Sequence, residues 1–193
     1  MSRIGIIIGT TRDNSAGKVV GEWLYDLAQG RQDGVEYTLL DLKEFDVPLL
    51  TTDVIPATAN KQYADEKVQA WSDAVDACDG FVFVTPEYNR SVPAPMKNAI
   101  DVGSRPYGQS VFSGKPAAVI SASPGAIGGF GANHHLRQSL VFLDMPVLQQ
   151  PESYLGGAGS FFDEAGQPSD SIKGFLQKFI DTFARWIEIH NRA

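Results

Sequence analysis

The chain has 193 residues, with 16 basic and 23 acidic side chains that give a formal net charge of −7. This acidity argues against a general nucleic-acid-binding or anionic-membrane-binding surface, because both need clustered Lys and Arg. A single cysteine, Cys78, excludes an internal disulfide and a multi-cysteine metal site. The length predicts one domain over residues 1–193, and the hydrophobic content of 43% predicts a folded one.

The N-terminal segment opens directly into a strand-like apolar run that is too short for a signal peptide. No apolar stretch approaches the roughly 20 residues that are needed to cross a bilayer. The lone cysteine fits a reducing compartment. We therefore expect a cytoplasmic protein with neither a membrane nor a nucleic acid among its partners.

Strand and helix patterns alternate along the chain. A strand at 3–8 is followed by an amphipathic helix at 15–28, a strand at 35–42, a connection at 43–61 and a helix at 62–77. A strand at 80–85, a helix from about 93 to 103, a strand at 117–121, a helix ending near 143, a strand at 146–150 and a closing helix at 171–191 complete the pattern. This alternation predicts an α/β fold with a parallel sheet covered by helices on both faces, and five strands suit the flavodoxin-like order 2-1-3-4-5.

Ligands of such sheets bind beyond the carboxyl ends of the strands, where the strand order reverses. The loop after the first strand reads Gly9-Thr-Thr-Arg-Asp-Asn-Ser-Ala-Gly-Lys18 and leads into a helix. Amides at a helix N-terminus, with hydroxyl groups and the Arg12 guanidinium, favour a phosphate. The alternative is that Ser15 simply caps the helix. We favour the phosphate because capping alone does not explain so many donors.

Two common nucleotide motifs fail on spacing in this loop. A P-loop would need glycine where Arg12 stands and a hydroxyl residue after Lys18, where the chain has Val19. A dinucleotide-binding G-x-G-x-x-G would need glycine in place of Thr11. The loop therefore suits a mononucleotide phosphate.

The loop after the third strand contains Tyr88, which could lay its ring against a planar ligand or could equally serve ordinary packing. From this loop into the next helix the chain reads PEYNRSVPAPMKNAID. This string resembles the signature of the NADPH-dependent FMN reductase family, which includes quinone, azo-dye and chromate reductases. The segments GTTRDNSAGKVVGEW and SASPGAIGG resemble further motifs of the same family, so that the resemblance covers about residues 1–145.

The resemblance implies non-covalent FMN, reduced by NADPH or NADH and reoxidised by a quinone, azo, metal-oxyanion or flavin acceptor. It implies that the phosphate lies among Thr10, Arg12, Ser15, Gly17 and Lys18. It implies that the isoalloxazine ring lies along Pro86, Glu87, Tyr88 and Asn89, with the segment containing Ser121, Ser123 and Gly125 on its other side. The family often has Arg or Asn near positions 15 to 17, and we expect Lys18 to compensate here.

The resemblance also implies a homodimer or a homotetramer. Five aromatic residues in predicted loops are candidates for such contacts, although core packing explains them equally well: Tyr107, Phe112, Phe130, Phe161 and Phe162. Hydride transfer to a flavin needs no side-chain acid or base, so we name no catalytic residue. We also expect no metal ligand.

Two other functions compete with the reductase. One is a flavodoxin-type electron carrier without NAD(P)H activity, although the T-x-T-G-x-T phosphate loop of flavodoxins is absent. The other is a non-redox binding domain of the same fold. A response regulator would need acidic residues after the first strand and an Asp ending the third, where this chain has Gly9-Thr10-Thr11 and Thr85-Pro86.

Overall fold

A computed structural model describes residues 2–157, 160, 161, 163 and 167–190 of the chain. Its five-stranded sheet has the order β2-β1-β3-β4-β5, and all neighbouring strands run parallel. The strands are β1 (Arg3–Ile8), β2 (Glu36–Asp41), β3 (Gly80–Pro86), β4 (Ala117–Ala122) and β5 (Tyr154–Leu155). The fold class predicted from strand–helix alternation is thereby confirmed.

Helices cover both faces of this sheet. They are α1 (Ala16–Gln29), α2 (Leu42–Phe45), α3 (Glu66–Asp76), α4 (Ala94–Gly103), α5 (Phe130–Phe142) and α6 (Asp170–His190). Buried side chains of α3, α4 and α5 form one apolar cluster, and those of α1 and α6 form a second one on the opposite face. Consecutive strand residues alternate between the two: Ile7 and Phe83 enter the first cluster, whereas Ile6 and Val82 enter the second.

The largest side chain of the first cluster, Trp71 of α3, is fully buried. Its indole Nε1 donates a hydrogen bond of 2.8 Å to the carbonyl oxygen of Ala99 in α4. Phe45 packs edge-on against the indole at a centroid separation of 5.1 Å. Because the one polar atom of the indole is paired, burying the ring stabilises the contact between α3 and α4 and leaves no polar atom of the indole unsatisfied.

The fifth strand lies later in the chain than the sequence pattern indicates. Of the predicted run 146–150, only Val147 forms a bridge, to Ala117, and the strand resumes at Tyr154–Leu155. Pro151 lies in the interruption, and proline has no N–H to donate to a sheet ladder. The expectation of a strand at 146–150 was therefore wrong.

One helix boundary and one additional short helix also differ from the sequence prediction. The helix expected over 62–77 begins only at Glu66, because the Asp65 carboxylate accepts from the N–H groups of Lys67 and Val68 and so forms the N-cap. The predicted connection after β2 contains the four-residue helix α2. Asp41 caps α2 in the same way, by accepting from the N–H of Lys43.

The aromatic residues expected in loops separate into two groups. Phe112 and Phe161 are buried in the core, whereas Tyr107 and Phe130 are exposed. Phe162 lies outside the described residues, as does residue 191 at the end of the predicted closing helix. Within the described parts of the chain, no helix has both the length and the apolar character that crossing a membrane requires.

Candidate functional site

Three loops meet beyond the carboxyl ends of β1, β3 and β4: the first loop (residues 9–15), the second loop (87–93) and the third loop (123–129). Between them lies a cavity of about 440 Å³. It is lined by Arg12, Asn14, Ser15, Ala16, Gly17, Pro86, Glu87, Tyr88, Ala122 and Pro124. This is the crevice at which the order of strands reverses, where doubly wound sheets bind their ligands.

One end of the cavity offers a positive charge and free hydrogen-bond donors. The Arg12 side chain is exposed, and the nearby ion pairs involve Asp13 of the same loop and Lys18 of α1 instead. The N–H groups of Ala16 and Gly17, in the first turn of α1, have no acceptor among the described residues. Such N–H groups, together with the helix macrodipole, attract an anion.

Thr10 and Ser15 hold the first loop in shape. Thr10 is buried, and its Oγ1 accepts a hydrogen bond of 3.2 Å from the Arg12 N–H. Ser15 is the N-cap of α1, and its Oγ accepts from the Lys18 N–H at 3.1 Å. Ser15 lines the cavity as well, so that capping and contact with a ligand are compatible roles. Thr10 does not belong to the lining.

Lys18 is not brought to the cavity. Its Nζ donates a hydrogen bond of 2.8 Å to the carboxylate of Asp41, which is buried at the end of β2. This bond raises the pKa of the Lys18 ammonium, so the side chain remains charged and paired. The expectation that Lys18 compensates at the phosphate is therefore at odds with its position in the structure.

The second loop turns tightly beside the cavity. Tyr88 and Ser91 exchange two backbone hydrogen bonds of 3.0 Å, and the intervening Asn89 and Arg90 both have positive φ, at 51° and 64°. This is the geometry of a type I′ turn, in which asparagine is favoured. Tyr88 lines the cavity, whereas Asn89 occupies the exposed turn and lies outside the lining.

Glu87 joins the second loop to α5. Its Oε2 accepts a hydrogen bond of 3.1 Å from the Ala132 N–H in the first turn of α5, while its Oε1 lies 3.4 Å from the Arg90 guanidinium. The helix has Gly129 at its N-cap position and so lacks a capping side chain of its own. A carboxylate from another loop therefore takes that role and interacts favourably with the helix dipole.

The third loop is fixed by a buried polar network. Ser121 Oγ donates to the Gly128 carbonyl at 2.7 Å and accepts from Asn133 Nδ2 at 3.3 Å. Ser123 Oγ accepts from the Gly125 N–H at 3.2 Å. These residues shape the loop, while Ala122 and Pro124 line the cavity. Ser121, Ser123 and Gly125, which the resemblance implies beside the ring, do not belong to the lining.

The cavity thus has two chemically different ends. Arg12 and the amides of α1 can bind a phosphate, and the flat or apolar side chains of Pro86, Tyr88, Ala122 and Pro124 can contact a planar ring. Among the described residues, no group of three side chains could hold a metal ion. The arrangement is suited to a phosphorylated planar heterocycle.

A model of the NADPH-dependent FMN reductase family matches residues 2–160 of the chain. The chain belongs to this family. A quinone reductase of Pseudomonas putida is 48% identical over 190 residues, which cover 98% of this chain and 96% of that protein. A 2-hydroxy-1,4-benzoquinone reductase of a Burkholderia species is 35% identical over 96% of both chains. The solved structure of FerB, an NAD(P)H:acceptor oxidoreductase flavoenzyme of Paracoccus denitrificans, has a TM-score of 0.82 at 35% identity and matches 98% of this chain and 99% of its own.

As a member of the NADPH-dependent FMN reductase family, the protein is an oxidoreductase that uses FMN and NAD(P)H. The residues of the cavity fit that cofactor, because an anion-binding end and a flat apolar end correspond to the phosphate and the ring of FMN. Because the chain belongs to a family of reductases, a flavodoxin-type electron carrier and a non-redox binding domain are both excluded.

Proposed function

We propose that FMN occupies the cavity between the three loops of a single domain, with its phosphate at Arg12 and the first turn of α1. Its ring would lie between the second loop and Ala122–Pro124 at the end of β4. The observation that carries this proposal is the free donor set, namely the Arg12 guanidinium and the N–H groups of Ala16 and Gly17, in a cavity that also presents the flat or apolar side chains of Pro86, Tyr88, Ala122 and Pro124.

We further propose that the electron acceptor is a quinone. The names of the Pseudomonas putida and Burkholderia relatives support this acceptor class. When bound, FMN would supply the chemistry of hydride transfer from the nicotinamide to the acceptor. The chain binds and orients: Arg12 and α1 hold the phosphate end, and Pro86 and Tyr88 limit the space beside the ring. One cavity serving both substrates in turn leads to ping-pong kinetics.

The protein is also proposed to assemble as a homodimer or homotetramer and to reside in the cytoplasm. Exposed apolar side chains support assembly: Tyr107 and Phe142 line one surface cavity of about 330 Å³ and are 87% and 82% exposed. The free thiol of Cys78 supports the location, since it fits a reducing compartment.

Flavin-binding measurements on Arg12→Ala test the placement of the phosphate. Apoprotein is titrated with FMN and with riboflavin, which lacks the phosphate, and the quenching of flavin fluorescence gives the two dissociation constants. We expect a Kd for FMN raised about tenfold or more, since a charge-assisted hydrogen bond contributes about 1.5–3 kcal/mol. The Kd for riboflavin should stay unchanged. An equal loss for both flavins, or no loss, would contradict the proposed placement.

Steady-state kinetics with 1,4-benzoquinone test the acceptor. Parallel double-reciprocal plots at several NADPH and NADH concentrations are expected for a ping-pong reductase. Azo dyes, chromate and free FMN serve as comparison acceptors under the same conditions. If any of these acceptors has a higher kcat/KM than the quinone, the proposal that the acceptor is a quinone is wrong.

A further inference from the structure

The first loop contains a carboxylate at a place where the proposed function needs a positive charge. Asp13 directly follows Arg12, and the two charges would cancel if both acted on the same ligand. Charges within a Debye length of about 8 Å are only partly screened at physiological salt. An unpaired Asp13 would therefore weaken the attraction of this loop for phosphate.

Asp13 is paired with a residue from a distant part of the sequence. Its Oδ1 accepts a hydrogen bond from Nζ of Lys43, which lies thirty positions further along the chain in α2. This bond lowers the pKa of the Asp13 carboxyl group. Asp13 thus remains ionised at neutral pH, and the charge that offsets it is that of Lys43.

The sheet register brings Lys43 to the first loop. In the parallel pairing of β1 with β2, Ile8 lies opposite Asp41, so the residues that follow the two strands are neighbours. The buried Asp41 carboxylate then holds both the backbone of Lys43 and the side chain of Lys18. Its Oδ1 accepts from the Lys43 N–H at 2.9 Å, and its Oδ2 accepts from Lys18 Nζ at 2.8 Å.

Among the described charged side chains of the first loop and of the two ion pairs beside it, these contacts leave one uncompensated charge. Lys18 offsets Asp41, and Lys43 offsets Asp13, which leaves the positive charge of Arg12. We infer that Lys43 is a positioning residue for the FMN phosphate, which acts through Asp13 by holding its carboxylate and cancelling its charge. This inference rests on the proposed placement of the phosphate in the first loop.

The test is the affinity of the Lys43→Met variant for FMN and for riboflavin. By Coulomb's law, an uncompensated unit charge on the exposed Asp13 beside the phosphate leads us to expect a Kd for FMN raised by about two- to tenfold at low salt. The Kd for riboflavin should not change, because riboflavin carries no phosphate. The difference should shrink as salt approaches about 1 M, where the Debye length is about 3 Å. A purely structural defect would affect both flavins and would not depend on salt in this way.

Asp13→Asn identifies the route of the effect. If Lys43 acts through Asp13, the Asp13→Asn variant binds FMN at least as tightly as the wild type, and adding it to Lys43→Met restores the affinity. Lys61→Met is the matched control: it also breaks an exposed Lys–Asp pair, but one with Asp76 at the C-terminal end of α3, shortly before the start of β3. Failure of Asp13→Asn to rescue Lys43→Met, or an equal effect of Lys61→Met, would overturn the inference.

If Arg12→Ala leaves the affinity for FMN unchanged, the proposed placement itself fails. If Arg12→Ala weakens FMN binding and Lys43→Met does not, only the role of Lys43 fails.

Discussion

Arg12 and Lys18 carry the same charge and stand six positions apart, yet the fold gives them different surroundings. Lys18 points to Asp41 at the end of a neighbouring strand, and Arg12 faces the cavity without a carboxylate partner among the described residues. The same contrast separates Glu87 from Tyr88, since one caps α5 and the other lines the cavity. At this scale the function of a side chain depends on its partner as much as on its chemical type.

Arg90 provides a test of backbone strain at the residue scale. It occupies the second position of the type I′ turn with φ of 64°, where glycine is the preferred residue. Because a Cβ in this region costs about 1–2 kcal/mol, we expect Arg90→Gly to raise the free energy of unfolding by about 1 kcal/mol. Urea denaturation measures the change.

Arg90→Ala is the control for the lost side chain. It removes the guanidinium near Glu87 but keeps the Cβ, so it should not stabilise the protein. Equal stabilities of the Gly and Ala variants would show that the turn is not strained.

At the scale of elements, α6 is tied to the edge of the sheet by one arginine. Arg31 follows α1, and its Nε donates a hydrogen bond of 2.5 Å to the Asp33 carboxylate. The Arg31 guanidinium also pairs with Asp181 of α6. Asp33 in turn accepts from the Tyr37 hydroxyl in β2 at 3.0 Å. The network thus joins the segment between α1 and β2 to α6, since Arg31 and Asp181 are 150 positions apart.

Acid titration of Arg31→Met tests this network. The hydrogen bond from Arg31 lowers the pKa of Asp181 below its ordinary 3.8; for Asp33, burial opposes the shift, but the hydrogen bonds outweigh it and lower the pKa as well. The folded state therefore binds fewer protons than the unfolded state, and this stability is present above pH 3.8 and lost as the pH falls through the lowered values.

We expect Arg31→Met to lower the free energy of unfolding at pH 7 by about 1–3 kcal/mol. The difference in this free energy between the variant and the wild type should narrow below about pH 4. Chemical denaturation at a series of pH values measures both effects. Lys178→Met, at an exposed position of α6, is the control for lost positive charge. A difference that does not vary between pH 6 and pH 3 would contradict this account.

At the scale of the whole molecule, the acidic surface carries exposed apolar side chains near the ends of α4 and α5. Phe142 is the last residue of α5, and Tyr107 follows the end of α4 by four residues. Both side chains line the same cavity. Large exposed aromatic residues of this kind are enriched in protein interfaces. They form the candidate contact for the proposed assembly.

Phe142→Asp is expected to reduce the assembly toward a protomer of 20.9 kDa, because a buried unpaired carboxylate is costly at an interface. Sedimentation equilibrium measures the mass. Ile189→Asp introduces the same change at a 65% exposed position of α6, away from this surface, and should leave the mass unaltered. A wild-type protein with the mass of one protomer would contradict the proposed oligomer.

The sequence itself determined the features that depend on residues close together in the chain. Apolar periodicity located β1, β3 and β4 and most of the helices, and the motif after β3 identified the family, which the match over residues 2–160 confirms. Local chemistry also placed Ser15 at the N-terminus of α1, since a hydroxyl can reach an N–H three residues later.

Only the tertiary structure decided the contacts between segments. The pairing of Lys43 with Asp13, the ion pair of Lys18 with Asp41 and the capping of α5 by Glu87 join residues 30, 23 and 45 positions apart. None of them leaves a periodic pattern, because each follows from which strand ends are neighbours and in which register they pair. The three loops could be located from the sequence, but the side chains that face the cavity were chosen by the packing of the sheet.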